Sequence, residues 1–227
     1  MQAGPGSTVG APAPPGLPRI AILGAGHVGP AIARVALAAG FQVSIAASGH
    51  PERIALITQV LTPGAEPQWA ADAARVADIV VLAFPLHKFA TFDPALVADR
   101  LVVDAMNYMP SLDGVLPMFE DLPSGSSEIV QRRFDRSTIV KTFNHLGYHE
   151  LEDERRPVGS PDRRALGVAS DDPGALDIVA DVIERIGYDA VRLDSLRAGR
   201  LLGPGGPVFG VSLRRAEFEH AVRDEAA

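Results

Sequence analysis

A glycine-rich segment near the start of the chain places the strongest constraint on the fold. The apolar run Ile20–Leu23 leads directly into Gly24-Ala-Gly26-His-Val-Gly29, and an alanine-rich stretch follows. A strand that ends in G-x-G-x-x-G and continues into a helix is typical of a unit that binds a dinucleotide. Gly24 permits the tight turn, Gly26 lets the backbone approach a pyrophosphate, and Gly29 lets the helix pack closely on the strand. We therefore predict that the pyrophosphate is held by Gly24, Gly26, His27, Val28 and Gly29.

The remainder of the chain alternates apolar strands with amphipathic helices. This order predicts an α/β fold, a Rossmann-type doubly wound parallel sheet with a small C-terminal extension. The predicted strands are Ile20–Leu23, Phe41–Ala46, Gln68–Ala70, Asp78–Ala83, Leu101–Asp104, Thr138–Thr142, Arg164–Ser170 and Ala190–Leu193. We predict a long loop over Ala105–Ser124 and an exposed, charged helix at the C-terminus. The predicted organisation is a disordered tail over 1–18, a dinucleotide-binding domain over 19–160 and an α/β extension over 161–227.

Composition limits the classes of function. The chain has 21 basic and 28 acidic residues, a net charge of -7 and no cysteine. A chain without a dense basic cluster is not expected to bind nucleic acid or an anionic membrane surface. The absence of cysteine excludes disulfides, thiolate metal sites and cysteine nucleophiles. The first 18 residues have neither a cationic start nor an apolar core, so we predict a cytoplasmic protein with no signal peptide and no membrane span.

The residues after the second predicted strand indicate which dinucleotide is bound. An NAD-specific domain carries an Asp or Glu there to bind the ribose 2′-hydroxyl, but this chain reads Ala-Ala-Ser48-Gly49-His50-Pro-Glu-Arg53. Hydrogen-bond donors without a carboxylate at that position suit a 2′-phosphate. We predict that NADP is bound with the help of Ser48, Gly49, His50 and Arg53. The alternative is that Ser48 caps the second helix and Arg53 is a solvated surface charge.

The loops after the fourth, fifth and sixth strands are the candidates for a second site, because such sheets bind ligands at the carboxyl ends of their strands. Each loop combines apolar or aromatic bulk with a few polar groups, as expected around a planar redox cofactor. His87 and His145 are candidate acid/base groups by position, or else ordinary hydrogen-bonding histidines. A metal site at His145, His149 and Glu150 is the weaker alternative, and we predict neither a metal nor a catalytic side chain. The predicted lining of one cleft is Phe84, Pro85, His87, Met106, Asn107, Phe143 and Asn144, and Ala83 is predicted to be a further cofactor-binding residue.

Several short motifs together resemble the NADPH-dependent coenzyme F420 reductases, also called F420-dependent NADP oxidoreductases. The resemblance extends from Arg19 to about Gly210 and rests on the order and spacing of the motifs. These are the glycine segment, Ala46-x-Ser48 with Pro51-Glu52, Val81-Leu-Ala-Phe-Pro85, Asp104-Ala-Met-Asn107, Val140-Lys-Thr-Phe-Asn144, Ser170-Asp-Asp172, and Gly199-Arg200 with Pro204-Gly-Gly-Pro207. The same fold is similar to the cytoplasmic reductase domain of transmembrane ferric reductases.

The resemblance implies an oxidoreductase, usually a homodimer, that passes a hydride between NADP(H) and the deazaflavin F420. It implies that Ser48 contacts the 2′-phosphate and that the loops at Phe84-Pro85 and Phe143-Asn144 lie near the nicotinamide. The chain departs from the family at Gly49, where members commonly have arginine, and at Asp194-Ser195, which lacks the usual nearby glycine. The alternatives are an NADPH-dependent reductase of a flavin, a ferric chelate or a small imine or carbonyl, and a non-catalytic NADP(H)-binding sensor.

Overall fold

The computed structural model describes residues 16–120 and 125–226, and within them one mixed sheet organises the chain. The strands are β1 (Ile20–Leu23), β2 (Val43–Ala46), β3 (Glu66–Pro67), β4 (Ile79–Leu82), β5 (Leu101–Asp104), β6 (Thr138–Lys141), β7 (Ala165–Ala169) and β8 (Asp189–Leu193). Their spatial order is β3-β2-β1-β4-β5-β6-β7-β8. Neighbouring strands are parallel except β6 and β7, which pair antiparallel through Lys141 and Ala169. The fold is therefore a Rossmann-like α/β fold, as the sequence predicts.

Helices cover both faces of the sheet. They are α1 (Val28–Ala38), α2 (Glu52–Leu61), α3 (Ala70–Val76), α4 (Pro110–Asp113), α5 (Pro117–Glu120), α6 (Ser126–Arg133), α7 (Glu150–Asp153), α8 (Pro173–Ile186) and α9 (Arg215–Ala226), with 3-10 helices at Leu86–Thr91, Pro94–Val97 and Leu196–Leu202. Asp172 caps α8 by accepting a hydrogen bond from the Ala175 N–H at 2.8 Å, and Gly187 ends the helix with a left-handed φ of 112°. No helix in the described part of the chain is long and apolar enough to cross a membrane.

Three hydrophobic clusters hold these layers together. Helices α1 and α8 bury one face of the sheet, and α3, α5 and α6 pack against the other. A third cluster lies between the outer strands β7 and β8 and the C-terminal helix α9. Strands β7 and β8 continue the sheet and α8 shares the first cluster, so these parts of the predicted C-terminal extension pack with the elements that precede them. The predicted tail lies outside the described residues as far as Pro15, and within residues 16–18 Leu17 packs against the first cluster.

Three predictions of local structure are wrong. The short third strand is Glu66–Pro67 and not Gln68–Ala70, where α3 already begins. The segment 105–120 contains the single-turn helices α4 and α5, each started by a proline, which fits a first helical turn because it lacks an N–H; residues 121–124 of the predicted loop lie outside the described residues. The C-terminal helix is not simply exposed, because Phe218 and Val222 are buried one turn apart on its inner face.

Candidate functional site

The glycines of the turn between β1 and α1 are required by close contacts. Gly24 has a φ of +137°, and a Cβ added there would lie 2.2 Å from the Ala83 carbonyl oxygen. A Cβ on Gly29 would lie 1.8 Å from the Gly24 carbonyl oxygen, whereas one on Gly26 would meet no atom within 4 Å. Gly24 and Gly29 thus allow the turn to fold against β4 and α1. Gly26 instead borders open space above the turn.

The N-terminus of α1 is open to an anion. It receives no side-chain cap from the described residues, its first turn holds no acidic residue, and His27 stands at the N-cap position. Free N–H groups and the helix dipole at such an end favour a negatively charged partner. The exposed His27 ring stacks on Tyr148 from the loop after β6, with the ring centroids 5.0 Å apart and the planes 16° from parallel. Tyr148 is thus a site residue that the sequence analysis missed, and its only sequence signal is an aromatic residue in that loop.

A bidentate ion pair fixes the position of this stack. Arg34 on α1 donates to the Glu152 carboxylate on α7 at 2.5 and 2.7 Å. The guanidinium holds the pKa of Glu152 below its usual range. Helix α7 follows Tyr148 by two residues, so the ion pair attaches the end of the loop after β6 to the helix that begins at the glycine turn.

The turn between β2 and α2 presents exposed hydrogen-bond donors. Ser48, Gly49, His50 and Arg53 are all exposed, and the guanidinium of Arg53 lies over Gly49, within 3.6 Å of where a Cβ would be. The His50 Nδ1 atom accepts the Glu52 N–H at 3.3 Å, which leaves Nε2 of the neutral ring as its donor. Among the described residues it is thus His50, and not Ser48, whose side chain accepts an N–H at the start of α2, so the alternative role of Ser48 as that cap is not observed. The Glu52 carboxylate is 3.8 Å from His50 Nδ1 and points into solvent.

The segment after β4 combines a backbone contact with an exposed surface. Ala83 passes beneath Gly24, as the close approach there requires. Phe84 is half-buried and stacks on Phe92 with ring centroids 5.2 Å apart. Pro85 and His87 are exposed, and the His87 Nδ1 lies 3.4 Å from Oδ1 of Asp113 in α4. His87 therefore lies at the surface beside a carboxylate that also accepts the His87 backbone N–H at 3.1 Å.

A buried ion pair lies where β5 and β6 end side by side. Asp104 accepts hydrogen bonds from the Met106 N–H at 3.0 Å, from the Ser127 hydroxyl at 2.6 Å and from the Lys141 ammonium at 3.2 Å. Lys141 also donates to the Met106 carbonyl oxygen. Burial lowers the pKa of Lys141, against the opposing effect of the Asp104 charge. Lys141 is 1% exposed, so this pair fixes the loop after β5 and offers no charge to a ligand.

The two predicted asparagines meet beyond this pair. Asn107 Nδ2 donates to the Asn144 carbonyl oxygen at 2.6 Å, and Asn144 Nδ2 donates back to Asn107 Oδ1 at 3.0 Å. Asn144 Nδ2 also donates to the Leu202 carbonyl oxygen at 2.7 Å. The preceding residue, Phe143, has a φ of +64°, which is uncommon for a bulky side chain and is found where the surroundings enforce it. The turn at Phe143 thus brings the loops after β5 and β6 into direct contact.

The structure corrects the prediction that seven side chains line one cleft. Met106 and Phe143 are buried in clusters on opposite faces of the sheet. Asn144 is 4% exposed, and its amide nitrogen donates hydrogen bonds to Asn107 and Leu202. The predicted residues with exposed or partly exposed side chains at this edge are Phe84, Pro85, His87 and Asn107.

His145 is not a proton donor. Its ring is 1% exposed, and Nε2 accepts the Gly167 N–H at 3.1 Å. Burial, and then the charges of Arg164 and Lys141, lower the pKa of His145 to about 3. Glu150 accepts a hydrogen bond from Arg164 at 2.8 Å. Within residues 16–120 and 125–226 no group of His, Cys, Asp or Glu side chains is arranged to hold a metal ion.

Together, the glycine turn, the uncapped start of α1 and the donors after β2 define a protein of the Rossmann-like dinucleotide-binding class. Residues 19–108 match the model of the family described as "NADP oxidoreductase coenzyme F420-dependent". This match confirms, over that part of the chain, the resemblance found in the sequence. It supports NADP-dependent oxidoreduction as the class of activity.

Solved structures agree with this assignment of the fold. A hypothetical protein, SMa0349 from Sinorhizobium meliloti, is 28% identical with a TM-score of 0.73, and the match covers 87% of this chain and 95% of that one. A proposed F420-dependent NADP reductase from Arthrobacter sp. FB24 is 24% identical with a TM-score of 0.67, covering 87% of this chain and all of its own. An imine reductase from Pseudomonas sp. is 14% identical with a TM-score of 0.52, covering 80% of this chain and 57% of its own. No curated protein matches the sequence.

Proposed function

We propose that the protein transfers a hydride between NADP(H) and the deazaflavin coenzyme F420. The observation that carries the proposal is the turn at Gly24–Gly29, where the backbone borders open space at Gly26 and leads into an uncapped helix. A pyrophosphate fits such a turn, since it is an anion that needs backbone N–H groups and a close approach. The family match over residues 19–108 supports F420 as the partner.

Each predicted residue has a distinct role in this proposal. Gly24, Gly26, His27, Val28 and Gly29 surround the pyrophosphate through backbone groups. Ser48, His50 and Arg53 donate hydrogen bonds to the 2′-phosphate, and Gly49 leaves room for Arg53 above the turn. Charge-assisted hydrogen bonds of this kind favour NADP(H) over NAD(H).

The acceptor side of the site is built by the loops after β4, β5 and β6. Phe84, Pro85, His87 and Asn107 supply its accessible side chains, while Ala83, Met106, Phe143 and Asn144 position those loops. Bound NADPH supplies the hydride. The protein has to hold the two rings in contact and exclude water, which requires no catalytic acid. The homodimer implied by the resemblance remains a prediction.

The test is the loss of F420 absorbance on adding NADPH under anaerobic conditions. We expect turnover with F420 and none with free flavin, a ferric chelate or a cyclic imine. The matched control is Gly26→Val, whose Cβ enters the open space over the turn, where no described atom lies within 4 Å of it. This variant is expected to fold normally and to lose both NADPH binding and turnover.

Two results would contradict the proposal. Reduction of one of the other acceptors with F420 inert would identify a different reductase. NADPH binding by calorimetry without turnover of any acceptor would identify a nucleotide sensor.

A further inference from the structure

An exposed tryptophan lies at the same sheet edge as the donors after β2. Trp69 is the chain's single tryptophan and is 47% exposed. It directly follows the short strand β3, which runs parallel to β2 in the register Ile45↔Pro67. Because parallel strands end at a common edge, Trp69 lies beside the turn that carries Ser48 and His50.

A contact between rings joins Trp69 to that turn. The rings of His50 and Trp69 meet edge to face, with centroids 5.0 Å apart and planes at 68°. The His50 Nδ1 atom is engaged by the Glu52 N–H, so this ring is held in place. His50, which is proposed to bind the 2′-phosphate, and the indole of Trp69 therefore form one continuous surface.

An open depression of about 300 Å³ lies against the indole. Pro51, Pro67, Gln68 and Trp69 form part of its wall. Asp72 and Arg75 also line it, and they pair with each other as an exposed ion pair at 3.4 Å. Prolines and an indole suit a flat, uncharged, aromatic group more than an anion.

We propose that Trp69 is the stacking platform for the adenine ring of the dinucleotide. This inference rests on the proposed function, because it assumes that NADP(H) binds along the carboxyl edge of the sheet. The adenine is attached to the ribose that carries the 2′-phosphate. A phosphate at Ser48, His50 and Arg53 therefore brings the base next to the indole.

The single tryptophan makes the inference directly measurable, because all indole emission of the protein comes from position 69. Adenosine 2′,5′-bisphosphate contains the adenine and the 2′-phosphate but no nicotinamide. We expect it to quench the emission in a saturable manner. Nicotinamide mononucleotide, which lacks adenine, is expected to leave the emission unchanged.

Substitutions separate stacking from mere proximity. Base stacking on aromatic side chains predicts that Trp69→Ala raises the Kd of adenosine 2′,5′-bisphosphate roughly tenfold in calorimetry. Trp69→Phe keeps an aromatic face and should stay within about threefold of the wild type. Leu56→Ala, which removes another exposed apolar side chain, is the matched control and should bind as the wild type does. Since Trp69 is half-exposed, thermal unfolding should show that the alanine variant still folds.

Two failures can be told apart. If the wild type binds adenosine 2′,5′-bisphosphate but its emission is constant and Trp69→Ala binds equally well, the adenine platform is overturned while the proposed function stands. If the wild type binds neither this nucleotide nor NADPH, both the platform and the proposed function are overturned.

Discussion

The two halves of the carboxyl edge are built by opposite means. At β1 and β2 the chain leaves out side chains at Gly24 and Gly29, and leaves polar groups such as Ser48 exposed. At β5 and β6 it buries an ion pair between Asp104 and Lys141 and satisfies it with hydrogen bonds. The first half therefore keeps its donors available for a ligand, whereas the polar groups of the second half form hydrogen bonds within the protein.

The first half of the edge is suited to binding a ligand, and the second half is suited to fixing the positions of loops. A site that binds anions needs donors close to the surface, and the β1–β2 half presents such a set in Ser48, His50 and Arg53. A site that holds two flat rings in contact needs rigid loops, and a fully bonded buried network supplies rigidity. We infer that substitutions of the exposed donors in the first half change affinity, and that substitutions in the buried network of the second half change stability and the geometry of transfer.

The largest expected effect comes from breaking the buried ion pair. Lys141→Met leaves the Asp104 charge buried and uncompensated, which typically costs about 3–5 kcal/mol. Urea unfolding measures this loss. The double variant with Asp104→Asn removes both charges while keeping an acceptor for the Ser127 hydroxyl, and it should recover most of the stability. A double variant no more stable than Lys141→Met would show that the charge is not what matters.

The next effect tests the steric construction of the other half. Gly29→Ala places a Cβ 1.8 Å from the Gly24 carbonyl oxygen, and overpacking of this kind costs about 3 kcal/mol. Gly26→Ala adds the same methyl group where no atom lies within 4 Å, so its unfolding midpoint should match that of the wild type. Equal midpoints for the two variants would contradict the steric explanation.

His145 gives the second half a dependence on pH. An exposed histidine has a pKa of about 6.5, and burial lowers the pKa of His145 to about 3. Between these values the unfolded chain binds a proton that the folded chain does not, so stability falls as the pH falls, by up to about 1.4 kcal/mol per unit.

The control for this pH dependence is His145→Gln, which offers an oxygen to the Gly167 N–H and does not titrate. Between pH 6.5 and pH 5, which is above the range where most carboxylates titrate, the wild type should lose about 2 kcal/mol more than this variant. Parallel losses in urea titrations at the two pH values would refute the role of His145.

The smallest effect concerns coenzyme preference. Arg53 is exposed, and an exposed charge contact contributes about 1 kcal/mol. Arg53→Ala should therefore raise the Kd of NADPH roughly fivefold and leave that of NADH within about twofold. Arg136→Ala, which removes another exposed arginine, paired with Asp99, should change neither. An equal rise in the Kd of both nucleotides would show that Arg53 does not contact the 2′-phosphate.

The sequence predicts the first half of the edge well because its determinants are local. The motif lies within a strand, a turn and a helix that follow one another, so spacing alone identifies Gly24 and Gly29, even though the Ala83 carbonyl that approaches Gly24 lies far along the chain. The bounds of β1 and β5 follow from their apolar runs for the same reason.

The second half depends on contacts between distant parts of the chain. Lys141 resembles a surface lysine in sequence, and its burial depends on Asp104 and the 3-10 helix at Leu196–Leu202. His145 is buried because Phe218, far along the chain, packs beside its ring. The positions of Met106 and Phe143 on opposite faces likewise follow from packing and not from a motif.

The close contacts at Gly24 and Gly29 also restrict how this protein can evolve. Every amino-acid replacement of glycine adds at least a Cβ. Every missense change in either codon therefore creates the 2.2 Å contact at Gly24 or the 1.8 Å contact at Gly29. A Cβ at position 26 meets no described atom within 4 Å, so a change there is expected to spare the fold and to act on dinucleotide binding. Within one motif, two positions are therefore constrained by the fold and the third by the ligand.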